Sequence, residues 1–179
     1  NLPLISNDNF ITIFNMVLRE NNIDLIFPTH DTVAEYLSNH ANELVAKIAT
    51  SSSKTNEICR NKKLTFELFK NELFCPKIYS RITKFPVFIK PIKGQGGVGA
   101  KLIQTAQDLP SDFNNNDYII NEYLPGKEYT VDCLTDYQGK LIAIYPRIRE
   151  RMMAGVCVAG HNITCDNKIK EINNKIKEN

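Results

Sequence analysis

The spacing of apolar and polar positions changes part-way along the chain. Apolar residues recur at helical spacing over residues 9–20, and short apolar runs at 23–27 and 46–49 flank a further helical stretch after Pro28. Helices that alternate with short buried strands are typical of an α/β domain. The pattern therefore predicts that residues 1–52 are the C-terminal part of an α/β domain.

From residue 53 onward, helical stretches give way to longer strands. Helical spacing runs through residues 62–73, and strand patterns follow at 86–92, 100–105, 117–124, 127–136 and 140–150. A turn at Tyr137-Gln138-Gly139 joins the last two strands and indicates a hairpin. Antiparallel strands that follow helices indicate an α+β fold. We assign residues 53–179 to one α+β domain and expect it to be truncated at its C-terminus.

Composition narrows the class of protein. Apolar residues make up 42% of the chain and charged residues 23%, and the net charge of +2 is too small to favour nucleic acid or an acidic membrane as the main partner. The five cysteines form no CxxC pair, which argues against a zinc site or a disulfide framework and favours a reducing cytoplasm. No membrane span or signal peptide is indicated. We expect the chain to be a fragment of a longer protein.

Four glycines crowd residues 94–99, directly after the strand that carries Lys90. The spacing G-x-G-x-x-G is present, but a strand pattern follows it, whereas a dinucleotide-binding loop leads into a helix. A Walker A loop is also excluded, because that motif ends in Gly-Lys-Ser/Thr, whereas Ala100 precedes Lys101 here and Leu102 follows it. The pattern favours a flexible flap between two antiparallel strands, whose backbone N–H groups would cradle phosphate oxygens. A plain glycine-rich hairpin remains the alternative.

A second candidate segment follows about thirty residues later, where one strand ends and the next begins. Glu122, Tyr123 and Leu124 precede a turn at Pro125-Gly126, and Glu128 opens the next strand. Backbone groups at such a strand end can pair with the edge of a purine, and the two apolar side chains can cover its face. The Glu128 carboxylate can accept hydrogen bonds from ribose hydroxyls.

Three segments together resemble the ATP-grasp superfamily, and within it the ligases related to the carbamoyl-phosphate synthase large chain. They are KFPVFIKPIKGQGGVGAKLI, INEYLPGKEYTVDCLTDYQGK and PRIRERMMAGVCVAG. IDLIFPTHD is similar to the end of the Rossmann-like domain that precedes the ATP-grasp fold in those enzymes. CRNKKLTFELFKNELFCPKIY is similar to their helix with a first nucleotide-binding lysine. The family often has Asp-Lys there, and this chain has Asn61-Lys62.

The resemblance implies a role for each candidate residue. Lys62, with Lys63 as a substitute, would contact the α-phosphate side of ATP, and Lys90 would reach the α- and β-phosphates. The flap over the triphosphate would consist of Gln95, Gly96, Gly97 and Gly99. Glu122, Tyr123 and Leu124 would bind adenine, and Glu128 the ribose. Arg147 and Arg149, which alternate on one strand, would stabilise a developing acyl phosphate as catalytic residues.

The reaction that the resemblance implies is phosphoryl transfer from ATP to a carboxylate, followed by attack of an amine on the acyl phosphate. In the family Mg²⁺ is held by a motif similar to Glu-x-Asn-Pro-Arg, which is absent from this chain, so we expect the metal ligands beyond its end. We expect small-molecule carboxylate and amine substrates, no nucleic-acid or membrane partner, and leave a homodimer open.

Two other classes of function compete with a ligase. One is a non-catalytic nucleotide-binding or regulatory module that kept the fold. The other is a kinase-like phosphotransferase, against which the absence of His-Arg-Asp and Asp-Phe-Gly segments argues. We interpret His30-Asp31 as part of a helix cap, with Thr29 or Asp31 as the capping residue, and Asp132 as an outward polar residue.

Overall fold

The computed structural model describes residues 2–136, 138–153 and 156–178. The chain forms two compact units, Asn1–Thr65 and Phe66–Asn179. The sequence predicts a domain boundary after residue 52, and that assignment stays a prediction.

The first unit contains a β-α-β arrangement. Its elements are α1 (Phe10–Glu20), β1 (Leu25–Ile26), α2 (Asp31–Asn39), a 3₁₀ turn (Ala41–Glu43), β2 (Lys47–Ile48), α3 (Ser53–Arg60) and the start of α4 (Lys62–Phe69). Strands β1 and β2 pair in parallel, with Ile26 opposite Ile48. A helix between two parallel strands is the arrangement that the alternating sequence pattern predicts.

The cap of α2 lies one residue away from either predicted position. His30 is the N-cap, and its Nδ1 accepts a hydrogen bond from the backbone N–H of Thr32 at 3.2 Å. An unprotonated imidazole nitrogen can accept this bond as a carboxylate or hydroxyl would, so a histidine serves as the cap. The prediction of Thr29 or Asp31 is wrong in detail, although a capping role for this segment is confirmed.

The second unit contains two antiparallel sheets and a terminal helix. The strands are β3 (Ile78–Tyr79), β4 (Val87–Pro91), β5 (Lys101–Ile103), β6 (Tyr118–Glu122), β7 (Tyr129–Thr135), β8 (Leu141–Met153) and β9 (Val156–Asn162), with a 3₁₀ turn at Ala106–Asp108 and helix α5 at Asn167–Glu178. The strand order is β3-β6-β4-β5 in the four-stranded sheet and β7-β8-β9 in the three-stranded sheet. The predicted α+β fold class is confirmed.

The hairpin predicted between β7 and β8 is present, although Tyr137 of its turn lies outside the described residues. Asp136 organises the described part of the turn: its carboxylate accepts hydrogen bonds from the backbone N–H groups of Gln138 and Lys140, at 2.9 and 2.8 Å. Gly139 has φ of 79°, a left-handed conformation that favours glycine.

One face of the four-stranded sheet forms the core of the second unit. Val87, Ile89, Ile103 and Ile120 are at most 2% exposed and pack on one another. Their alternation with residues of the opposite face follows from the period of two in a β-strand. Within the described residues, no helix is long and apolar enough to cross a membrane.

Candidate nucleotide-binding site

The strand register places Lys90 on the sheet face opposite the core. Lys90 lies across from Ile119, and Phe88 lies across from Asn121, in the antiparallel pair of β4 and β6. Opposite residues of such a pair share a face, so these four side chains form one surface, which we call the lysine face. The neighbouring Ile89 points into the core.

The lysine face gives the Lys90 ammonium a partly apolar setting. Its Nζ lies 4.8 Å from the centroid of the Phe66 ring, a cation–π contact. Burial raises the pKa of the Cys75 thiol, and the nearby positive charge of Lys90 opposes that rise. A cation that is partly shielded from water interacts more strongly with an anion than a fully exposed one.

The glycine loop leaves the end of β4 in a backbone conformation that few other residues adopt. Gly94, Gly96, Gly97 and Gly99 have φ of 153°, 65°, 70° and 74°. At Gly99 an added Cβ would lie 2.8 Å from Cγ of Pro91, so the site excludes a side chain by contact as well as by φ. Among the described residues, the amide N–H groups of Gly96, Gly97 and Gly99 donate no hydrogen bond to another group. These amides are therefore available to phosphate oxygens.

The carboxylate of Glu122 points away from the lysine face. Glu122 lies across from Val87, a core residue, and its Oε1 accepts a hydrogen bond from the backbone N–H of Lys77 at 2.9 Å. The backbone N–H of Glu122 donates to the Lys77 carbonyl, also at 2.9 Å. The side chain thus ties β6 to the segment before β3, and a contact with adenine at this position would involve the carbonyl oxygen of Glu122.

Tyr123 and Leu124 leave β6 with their side chains in part uncovered. They are 39% and 61% exposed, and no strand or helix includes them. Apolar side chains at a strand end offer a surface on which a planar base can pack. This is the setting that the sequence predicts for them.

Glu128 and the two candidate catalytic arginines form ion pairs on one face of the three-stranded sheet. Arg149 Nη1 donates a short hydrogen bond to Glu128 Oε1, and the Arg149 N–H donates to the Glu128 carbonyl at 3.1 Å. Arg147 Nε donates to Asp132 Oδ2 at 3.0 Å. The predicted ribose residue and the predicted catalytic residues therefore lie side by side.

Asp132 is the partner that sequence reasoning missed. The sequence predicts an outward polar residue, and the side chain is exposed but paired with Arg147. Asp132 and Arg147 occupy neighbouring strands, with Asp132 opposite Tyr145. Residues 128, 130 and 132 are two positions apart, and alternate residues of an extended segment point to the same side. This spacing alone places Asp132 beside Glu128 and could have identified it from the sequence.

The sequence matches the ATP-grasp domain family over residues 59–178. The chain belongs to the ATP-grasp family. The resemblance to the ATP-grasp superfamily that its motifs indicate is thereby confirmed. No protein among those of curated function matches the chain by sequence.

Solved structures share the ATP-grasp arrangement at low sequence identity. An L-amino acid ligase from Bacillus licheniformis is 15% identical with a TM-score of 0.72, covering 98% of this chain and 46% of that chain. Pyruvate carboxylase from Rhizobium etli is 16% identical with a TM-score of 0.72, covering 99% and 18%. An ATP-grasp superfamily protein from Archaeoglobus fulgidus is 14% identical with a TM-score of 0.59, covering 92% and 52%. These similarities show the fold. The chain spans about half, or less, of the length of each.

Lys62, the first lysine suggested by the ATP-grasp resemblance, begins α4 in the first compact unit. Asn61 precedes it, and its Oδ1 accepts a hydrogen bond from the backbone N–H of Lys63 at 3.1 Å. The asparagine thus caps the helix as the aspartate of an Asp-Lys pair would. Burial, and to a lesser extent the nearby Arg60 cation, lowers the pKa of the Lys62 ammonium.

The described residues do not fit a magnesium site. They contain no group of three or more His, Cys, Asp or Glu side chains placed to hold a metal ion. Mg²⁺ prefers carboxylate oxygens, and the two carboxylates beside the candidate arginines, Glu128 and Asp132, are engaged with those arginines. The glycine loop and Lys90, by contrast, fit the triphosphate of ATP.

Proposed function

We propose that the chain is the ATP-binding part of an ATP-dependent ligase that activates a carboxylate as an acyl phosphate for attack by an amine. The observation that carries the proposal is the glycine loop beside Lys90, in which four glycines have positive φ. Membership of the ATP-grasp family supports it. Within that family we favour the enzymes related to the carbamoyl-phosphate synthase large chain.

The residues of the two sheets would divide the nucleotide between them. Lys90 and the loop amides of Gly96, Gly97 and Gly99 would neutralise phosphate charge, and the family resemblance implies a phosphate contact for Lys62. The backbone of Glu122, with Tyr123 and Leu124, would bind the base. Preorganised donors of this kind stabilise charge without having to reorient during the reaction.

The Glu128–Arg149 pair would link ribose binding to the acyl phosphate. A carboxylate has two oxygens with about four acceptor positions, so pairing with Arg149 still allows Glu128 to accept from ribose hydroxyls. A guanidinium has five N–H donors, and one ion pair uses only part of them. Arg147 and Arg149 would therefore donate to the oxygens of a developing acyl phosphate while Asp132 and Glu128 hold them in place.

We expect the 179-residue chain to bind ATP weakly and to show no ligase turnover, because its described residues supply no metal site. The second candidate function is a non-catalytic nucleotide-binding or regulatory module that kept the fold. The substrates we propose are a small-molecule carboxylate and an amine, without nucleic acid or membrane partners. The five unpaired cysteine thiols support a reducing, cytoplasmic setting, and a homodimer remains open.

The binding part of the proposal is tested by titrating ATP into the chain and following amide chemical shifts. Lys90→Met removes the charge from the lysine face, whereas Lys101→Met removes the same charge on the next strand, where Lys101 lies across from Ile89 and its Nζ donates to the Asp108 carbonyl. We expect Lys90→Met to weaken ATP binding about tenfold or more and Lys101→Met to change it less than about twofold. Equal effects of the two substitutions would contradict the assignment.

The catalytic part is tested by trapping the acyl phosphate with hydroxylamine across a panel of carboxylates. The 179-residue chain and any longer product of the same gene are incubated with Mg-ATP. A ligase yields a hydroxamate with at least one carboxylate in the longer product, and Lys90→Met lowers its rate by about 10²-fold. ATP binding without hydroxamate in any form would favour the non-catalytic module.

A further inference from the structure

The pair of Arg147 and Asp132 uses only one edge of each side chain. Arg147 Nε donates to Asp132 Oδ2 at 3.0 Å, whereas the terminal nitrogens of Arg147 and the second oxygen of Asp132 have no hydrogen-bond partner within the described part of the chain. Both side chains are accessible to solvent, Arg147 at 36% and Asp132 at 58%. The pair therefore presents unused donors and an unused acceptor side by side.

An uncovered aromatic ring adjoins this pair. Tyr145 lies directly across from Asp132 in the pairing of β7 with β8, and it precedes Arg147 by two residues on β8. Directly opposite residues, and alternate residues of one strand, point to the same face of a sheet. Tyr145 is 62% exposed. A cation, an anion and an aromatic surface thus lie together on one face and are open to a ligand.

The charges on this face of the three-stranded sheet cancel. Arg147 pairs with Asp132, and Arg149 pairs with Glu128. A ligand with a carboxylate alone would bind the arginines but bring its charge close to the two acidic side chains, and like charges within about 4–6 Å of each other are disfavoured. A ligand that carries an ammonium group beside its carboxylate avoids this repulsion.

We propose that the Arg147–Asp132 pair recognises an α-amino acid. The terminal N–H groups of Arg147 bind its carboxylate, the second oxygen of Asp132 accepts a hydrogen bond from its ammonium group, and Tyr145 lies beside that cation. The spacing of the charges fits, because groups held 3.0 Å apart in the protein can both be reached by charges that are joined through a single carbon atom. This rests on the proposed ligase function and makes its carboxylate substrate an amino acid with a free amino group.

The test compares amino acids with the same acids lacking the amino group. Glycine, L-alanine, L-leucine and L-glutamate are titrated into the 179-residue chain, with and without ATP, in parallel with acetate, propionate, 4-methylpentanoate and glutarate. Chemical shifts of the backbone amides and of the arginine Nε–H groups report binding. We expect at least one amino acid to bind about fivefold or more tightly than its partner acid, as one added ion pair would give.

Two substitutions locate the source of this preference. Asp132→Asn should reduce it to less than about twofold, because the ammonium group loses its charged partner, while the amide oxygen can still accept from Arg147 Nε. Asp112→Asn makes the same chemical change at an exposed turn residue outside the strands and should leave the preference intact.

The outcomes separate this proposal from nucleotide binding. Equal binding of every amino acid and its partner acid, a preference that survives Asp132→Asn, or no binding of any probe to a chain that binds ATP would overturn the proposal alone. The N-acetyl amino acids give a check without a variant: they lack the ammonium charge and should bind no better than the partner acids, and binding as tight as that of the free amino acids would overturn the proposal. A chain that keeps the preference but binds no ATP would contradict the proposed function and leave the amino acid site standing.

Discussion

The two sheets of the second unit are held in their conformations by different forces. In the four-stranded sheet, Ile89 and Ile103 are fully buried and the lysine face is the reverse side of that apolar core. In the three-stranded sheet, large apolar side chains such as Ile142 and Tyr145 remain 60% and 62% exposed, and ion pairs hold the arginines. Burial of apolar side chains contributes strongly to stability and is insensitive to salt, whereas exposed ion pairs contribute little and are screened by salt. Lys90 therefore lies on a well-packed sheet, whereas the face of the three-stranded sheet that carries Arg147 and Arg149, which we call the arginine face, is held by solvent-screened ion pairs.

The comparison is tested most strongly by removing matched side chains from the two sheets. Ile89→Ala leaves a cavity in the core and should lower the free energy of unfolding by about 3 kcal/mol. Ile142→Ala, the same chemical change at an exposed position of β8, should lower it by less than about 1 kcal/mol. Urea unfolding followed by circular dichroism measures both. Similar losses would show that the two sheets do not differ as described.

The glycine loop extends the contrast to backbone conformation. Gly99→Ala and Gly139→Ala place a side chain at similar φ, 74° and 79°. The Cβ at Gly99 meets Pro91, whereas no atom of the described residues lies within 4 Å of the Cβ at Gly139. Gly139→Ala should cost about 1 kcal/mol for the left-handed conformation alone, and Gly99→Ala about 1 kcal/mol more because of the contact. Denaturant midpoints give the difference. Equal costs would mean that the Pro91 ring moves away from the added Cβ without a loss of stability.

The ion pairs of the arginine face should contribute less to the free energy of unfolding than the core and glycine substitutions remove. A double-mutant cycle on Arg149 and Glu128 should give a coupling of about 1 kcal/mol or less at low salt, falling further in about 1 M NaCl. The exposed i,i+3 pair of Glu67 and Lys70 at the C-terminal end of α4 serves as the control, with an expected coupling of about 0.3 kcal/mol. A coupling at Arg149 that is independent of salt would contradict an exposed, screened pair.

The smallest expected effect is a dependence of stability on pH at the end of β5. Asp108 accepts hydrogen bonds from the backbone N–H groups of Thr105 and Gln104, at 2.8 and 3.0 Å, and these lower the pKa of its carboxyl in the folded state. The stabilisation is present above the pKa of an ordinary aspartate and is lost as the pH falls through the lowered pKa. Asp108→Asn should therefore flatten the acid limb of the stability profile slightly, measured as the unfolding midpoint against pH. An acid limb that is identical in the wild type and in Asp108→Asn would contradict this assignment.

The elements carrying strong sequence patterns could be predicted, and those defined by distant partners could not. Alternation in residues 86–92 and the glycines after them predicted β4 and its loop, because both signals are local. Strand β3 has only two residues, and β9 consists largely of small residues without a clear period. No local signal identifies either, since each exists through pairing with β6 or β8.

The candidate site shows the same division between local and long-range information. Lys90 and the glycine loop were predicted from residue types in one short segment. The structure places Lys90 in β4 and the loop directly after that strand. The orientation of the Glu122 carboxylate depends on which face of β6 the residue occupies, and that depends on the register with β4 and on the core beneath it. Sequence reasoning therefore selected Glu122, although its carboxylate faces away from Lys90.

The central claim, that the glycine loop binds the triphosphate of ATP, is tested most directly by amide hydrogen exchange. Four glycines in the loop make its ordering costly in conformational entropy, and phosphate contacts would have to offset that cost. We predict that the amides of Gly96, Gly97 and Gly99 exchange more slowly in saturating ATP than without it, by about tenfold or more. The amide of Gly139, which already donates to the Asp136 carbonyl at 3.0 Å, should not change. Unchanged exchange at the three loop glycines, at ATP concentrations that saturate shifts elsewhere in the chain, would contradict the account.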